Sequence, residues 1–139
     1  MKCCGKTLFS GSSVASQVVA ADAPLSFAKN YAVNVDGITS NSVTLRDAGV
    51  YLVTVDASGA PTAAGNVSIQ PQINGDVLDA YMSTATSTGA ADIVHVGFSF
   101  MLRVDPTVCC YVDNAANLSI INAAAETTFS NVSITVVRV

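Results

Sequence analysis

Asn131-Val132-Ser133-Ile134-Thr135-Val136-Val137-Arg138-Val139 ends the chain on an alternating pattern. Val132, Ile134 and Val136 fall on one side, with Asn131, Ser133 and Thr135 on the other, which is the period of a strand lying half-buried on a sheet. A strand that runs to the last residue reads as the end of an all-β module closed by its own C-terminus. Val137 and Val139 carry apolar character to the second face, and an oligomer contact is expected there.

The same period recurs upstream. Tyr31, Val33 and Val35 alternate with Ala32 and Asn34, and Asp36-Gly37 supplies a turn pair. Val43 and Leu45 lead to a turn at Asp47-Ala48-Gly49. The run Val50 to Asp56 is apolar through Tyr51, Val53 and Val55 and reads as a central strand, followed by a loop from Ala57 to Gly65. Val67, Ile69, Pro71 and Ile73 then alternate with Asn66, Ser68, Gln70 and Gln72. Pro71 has no N–H to give to a ladder, which places this strand at an edge or bulge. Asn74-Gly75 is a strong hairpin signal, and Val77 to Met82 reads as the return strand. Ser83 to Ala91, rich in Ser, Thr, Ala and Gly, is expected to be an exposed loop tip. Val94, Val96, Phe98, Phe100 and Leu102 mark another strand, with further strands at Val108 to Val112 and Leu118 to Ile121. Eight to ten short strands, turn signals about every ten residues and no helical periodicity predict an all-β antiparallel sandwich or jelly roll. Residues 1–24 are small and polar and are expected to be an N-terminal arm or attachment segment, with a possible short strand at Gln17 to Ala20; residues 25–139 are expected to form the domain.

Composition limits the function classes. In 139 residues only 12% are charged and the net charge is −4. The six cations, Lys2, Lys6, Lys29, Arg46, Arg103 and Arg138, do not cluster, so no basic footprint for nucleic acid exists. The mean hydropathy is +0.48. With so few charges, that value leaves uncharged surface on a single domain, and such surface marks a subunit interface. No stretch has the length or apolarity of a membrane helix, and the N-terminus carries no signal-peptide core, so synthesis in the cytoplasm is expected. The sequons at Asn66, Asn117 and Asn131 are read as polar strand positions rather than glycan acceptors.

Little in the chain suggests chemistry. The four cysteines form two adjacent pairs, Cys3-Cys4 and Cys109-Cys110. Neighbouring strand residues point to opposite faces, so such pairs lack the spacing of a zinc site. A disulfide between the pairs and a metal staple both remain open, beside the plainer reading as reduced thiols. His95 is the only histidine, it alternates with core residues on a predicted strand, and it reads as a wall or interface residue rather than a catalytic base. Asp76, Asp79, Asp92, Asp105 and Asp113 lie near turns without the spacing of a calcium loop. The row Asn66, Ser68, Gln70 and Gln72 offers amides that sugars can use, although it reads first as a solvated sheet face. No catalytic residue, no cofactor and no metal are expected, and the chain is not expected to be an enzyme.

Asp47-Ala48-Gly49-Val50-Tyr51-Leu52-Val53 resembles the Gly-x-Tyr-x-hydrophobic strand of the C1q and tumour necrosis factor-like jelly rolls. Ile69 to Val77 resembles that superfamily's hairpin and Phe129 to Val136 its closing strand, in the same order, over roughly residues 25–139. The start at Cys3-Cys4, the loop Pro61-Thr62-Ala63-Ala64-Gly65, the late Cys109-Cys110 and the ending resemble short phage-associated proteins. The chain departs from the C1q type in having no Trp and few aromatics. The resemblance implies a homotrimer packed through apolar faces, acting as a structural virion protein of a bacteriophage: a head fibre, decoration or auxiliary capsid subunit. The implied partners are itself and other capsid or virion proteins, with host-surface glycans as a further partner, and the implied location is the virion. The alternative is a carbohydrate- or receptor-binding, lectin-like fibre tip. An enzyme on a cupin-like jelly roll would need several histidine ligands, which His95 alone cannot supply.

Overall fold

The computed structural model describes residues 6–35, 37–106 and 115–139. Among them are eleven strands in two antiparallel sheets and one 3-10 turn, Asp79–Tyr81. The first sheet contains β1 (Leu8–Ser13), β2 (Gln17–Val19), β3 (Ala28–Val33), β5 (Gly49–Pro61), β9 (Val94–Val104) and β11 (Thr127–Arg138). Its order is β3-β1-β11-β5-β9, with β2 also on β11. The second contains β4 (Val43–Leu45), β6 (Gly65–Ile73), β7 (Asp76–Val77), β8 (Ser83–Ser87) and β10 (Ala116–Asn122), in the order β4-β10-β6-β7, with β8 also on β6.

The core lies between the sheets. Val132, Ile134 and Val136 of β11 are buried, as their alternation predicts, beside Tyr51, Val53 and Val55 of the adjacent β5 and in one core with Ile69, Leu118 and Ile120 of the second sheet. The Tyr51 ring is fully buried, and its hydroxyl donates to the Asp47 carbonyl. That bond explains how a polar aromatic fits in a dry core: the ring supplies apolar area while the hydroxyl keeps a partner. Tyr81 stacks on Phe100 with ring centroids 4.8 Å apart and covers the sandwich edge beside β9.

Asn122 joins the two layers. Its amide donates to the Val19 and Ala125 carbonyls, each at 3.0 Å, and its oxygen accepts from the Ala124 N–H at 3.0 Å. The residue is fully buried. Asn122→Ala removes three hydrogen bonds at once, the one to the Val19 carbonyl buried and the other two part-buried, and is expected to cost about 1–3 kcal/mol. A urea denaturation midpoint measures it, and an unchanged midpoint would show that the network is replaceable.

Several elements differ from the sequence reading, each for a tertiary reason. The boundary expected at residue 24 separates nothing in the described chain. Leu8–Ser13 is paired on both sides, to β11 and β3, and Phe9 is buried with its ring edge-on to Phe27 at 5.8 Å. Its Ser and Gly content hid a strand whose apolar contribution is concentrated in one phenylalanine. The expected loop from Ala57 is a continuation of β5 to Pro61, where small side chains are needed beneath Phe129. Pro71 lies inside the second sheet, paired to Ile120, at the point where β8 has left β6 and β7 begins. Its carbonyl accepts from the Leu78 N–H at 3.0 Å. The amide and carbonyl of one strand residue point to the same side, so the missing N–H faces the 3-10 excursion and leaves no ladder bond unmade.

The expected return strand 77–82 shrinks to Asp76–Val77, and the expected loop tip 83–91 is mostly β8, with Ser87 buried. Cross-strand hydroxyl and amide pairs let so polar a segment join the sheet: Ser68 with Thr84 at 2.8 Å, and Thr86 donating to Asn66 at 3.0 Å. Tyr31 is 59% exposed, because its register opposite Ser10 on the edge strand β3 turns it to the outer face of the sheet. The strand expected at Val108 to Val112 lies outside the described residues.

Candidate interaction surface

The register of the six-stranded sheet sorts its outward side chains into rows. One row crosses five strands as Val33, Leu8, Val137, Leu52 and Met101. It is wholly apolar, and none of the five is buried: Leu52 is 39% and Met101 55% exposed, and the rest are half-buried. The next row is Tyr31, Ser10, Thr135, Thr54 and Ser99. A third runs Ser12, Ser133, Asp56 and Gly97, and a fourth Asn131, Ser58 and His95. At the far end, Val18, Thr128 and Ala60 continue to the exposed Ile93.

This face therefore has apolar ends and a hydroxyl-rich middle. Among the described residues, the third and fourth rows carry two ionisable groups, Asp56 on β5 and His95 on the edge strand β9. Arg103, on the edge strand β9, pairs with Asp105 at 2.9 Å, both well exposed, and such a pair contributes little to stability. Two recesses open on the face. One, of about 460 Å³, lies among Ala60, Pro61, Ala91, Ile93, Thr128 and Ser130. The other, of about 260 Å³, is lined by Ser12, Asp56, Ser58, His95, Asn131 and Ser133, among others. The second forms where β1 ends opposite Val132 and β2 begins only at Phe129, leaving Asn131 uncovered.

His95 and Ser58 are brought together here. Ser58 Oγ lies 2.6 Å from His95 Nδ1. Asp56 leans instead across Gly97, where a Cβ would collide with its carboxylate oxygen. The three do not make a relay, because a catalytic serine needs the far ring nitrogen oriented by the acid. The geometry is that of a polar wall on a sheet face.

The other candidate residues are scattered. Asp76 sits in a hairpin, Asp79 begins the 3-10 turn, and Asp92 accepts from Thr88 at 3.1 Å within its own loop. Among the described residues, no three His, Cys, Asp or Glu side chains come close enough to hold a metal. Cys3, Cys4, Cys109, Cys110 and Asp113 lie outside the described residues. The amide row of β6 is largely engaged: Asn66 with Thr86, Ser68 with Thr84, and Gln72 with both Ser119 and the Gly75 carbonyl. Gln70 is 7% exposed. Leu8, Leu52 and Met101 were missed in the sequence because a row across five strands exists only once register is known.

No protein-family model matches the chain, and no curated protein sequence matches it. Solved structures do match. The Eiger TNF of S. frugiperda superposes with a TM-score of 0.70 at 16% identity, over 96% of this chain and 91% of that one. Murine APRIL at pH 5.0 gives 0.69 at 8% identity, over 97% and 100%. The PRD1 vertex protein P5 gives 0.57 at 12% identity, over 96% of each chain. The fold is thus the TNF-like jelly roll that the Gly-Val-Tyr strand, the Asn-Gly hairpin and the last strand suggested. No helix among the described residues is long and apolar enough to cross a membrane.

Proposed function

We propose that this chain is a non-enzymatic structural protein of a bacteriophage virion, a head fibre, decoration or auxiliary capsid subunit, that assembles as a homotrimer through the outer face of its six-stranded sheet. The observation that carries the reading is the apolar row Val33, Leu8, Val137, Leu52 and Met101 on a face with so little charge. An apolar row left in water costs free energy that a second copy of the same uncharged face can recover. The likeness to a vertex protein supports a virion location, and the sequence resemblance to phage-associated proteins points the same way. Other virion proteins are the partners this role requires. Host-surface glycans enter as a further partner, for which a glycan array is the direct test.

Light scattering on the eluting protein is the experiment for assembly. The expected mass is three times 14.2 kDa. A monomer at micromolar concentration would remove the interface, and a dimer would remove the three-fold arrangement. Peptide mass spectrometry of purified particles tests the virion location separately.

A further inference from the structure

We infer that Asn74 is a modification site: its amide is lost spontaneously to the backbone nitrogen of Gly75, and the docking of its hairpin on β10 gates the reaction. The chemistry is that of any Asn-Gly pair. The Gly nitrogen attacks the Asn side-chain carbonyl carbon, a C–N bond closes a five-membered succinimide, and the side-chain nitrogen leaves as ammonia. Water then opens the ring at either carbonyl, giving aspartate or isoaspartate. No oxidant, metal or enzyme is needed. Glycine favours the attack because nothing on its α-carbon obstructs the approach.

Asn74 and Gly75 form the two-residue turn between β6 and β7, with φ of 51° and 88°, the left-handed pair that such a hairpin demands. In the closed turn the asparagine is held from three directions. Its backbone N–H donates to the Asn117 carbonyl at 3.0 Å. Its side-chain oxygen accepts from the Asn117 N–H at 2.8 Å, and its side-chain nitrogen donates to the Ala115 carbonyl at 3.2 Å. The side chain thus extends the ladder of β10 and is pinned towards it. Asn117 is itself held by Thr44 of β4 at 3.0 Å, and Gly75 by the Gln72 amide at 3.0 Å. A pinned amide cannot swing onto the Gly75 nitrogen, so the reaction waits for local opening of the hairpin and runs at a rate set by the open population.

The product alters the same contact. A carboxylate at 74 keeps an acceptor for the Asn117 N–H but sets an oxygen against the Ala115 carbonyl where a donor had been, and isoaspartate adds a backbone atom to a two-residue turn. The hairpin that opens to react therefore closes less well afterwards. Neither the turn nor its contacts belong to the apolar rows of the six-stranded sheet, so this chemistry is separable from assembly there.

The test uses the intact chain. It is aged at mildly alkaline pH, in buffer and in unfolding urea, and cut with trypsin after Arg46 and Arg103, so that Asn66 and Asn74 fall in one peptide. Asn66 precedes Val67, whose branched side chain blocks the attack, and serves as the slow internal control. In urea, Asn74 is expected to convert much faster than Asn66, and at least about tenfold faster than Asn74 in the folded chain. Asn117→Ala, which removes the clamp to Thr44, is expected to raise the folded-state rate. Equal rates in buffer and urea would overturn the gating. Parity of Asn74 with Asn66 in urea would overturn the site itself.

Discussion

Phe9→Ala is expected to lower the stability of the folded chain by about 3–5 kcal/mol, the range for truncating a buried aromatic side chain. Phe9 is 1% exposed, packs edge-on to Phe27, and lies on a strand held between β11 and β3. The prediction is sharp because a detachable arm would give the opposite result. A phenylalanine on an arm contributes no stability to the body, and its removal would leave the denaturation midpoint where it was. For a domain whose total stability is on the order of 5–15 kcal/mol, the loss is large enough to leave the variant partly unfolded at growth temperature. The measurement is a urea or thermal midpoint on the variant and parent. A change below about 1 kcal/mol would place β1 outside the cooperative unit. Two further features strengthen the expectation. Gly11 faces the Phe9 and Phe27 rings so closely that a Cβ would meet them at about 3 Å. The Thr7 carbonyl accepts from the Arg138 N–H at 2.9 Å, tying the strand to the end of β11.

Leu52→Asp is expected to abolish the proposed assembly while leaving the fold intact. Leu52 stands in the middle of the apolar row, between Val137 and Met101, and is 39% exposed in the single chain. A carboxylate there remains hydrated in the monomer, so the cost to folding is expected to stay below about 1 kcal/mol. Buried against another copy it is a charge taken out of water, the neighbouring Arg103 being already paired with Asp105, and such a buried charge is strongly unfavourable. Light scattering should move from three times 14.2 kDa to the single-chain mass, with an unchanged thermal midpoint once dissociation is accounted for. Retention of the parent mass would sink this face as the contact. Loss of both mass and fold would be diagnosed by circular dichroism, and Met101→Asp, at 55% exposure, then provides the milder substitution.

Much of the fold was legible because a sheet with one dry face writes a period of two into the chain. Val132, Ile134 and Val136 were read inward and are buried; so were Val53 and Val55. Asn74-Gly75 was read as a hairpin because its backbone preferences are local, and it is one. Elements whose stability comes from partners were not legible. Leu8–Ser13 has a strand's hydrogen bonds without a strand's hydrophobicity, and Ser83–Ser87 is held by side-chain hydroxyls from β6. The candidate surface was half visible: Val137 suggested a second apolar face, but its neighbours Leu8, Leu52 and Met101 lie far from it in sequence.

The sequence by itself determined that this chain is all-β, where its turns fall and which side of most strands is dry, since these follow from residue type and local spacing. Only the tertiary structure decided which strands are neighbours, that the N-terminal segment is one of them, and that five separated apolar residues form one row. Register is set by long-range pairing, and a surface is a property of register. The same division holds at Asn74: the dipeptide makes it reactive, and the contacts to Ala115 and Asn117, some forty residues away, decide when it can react.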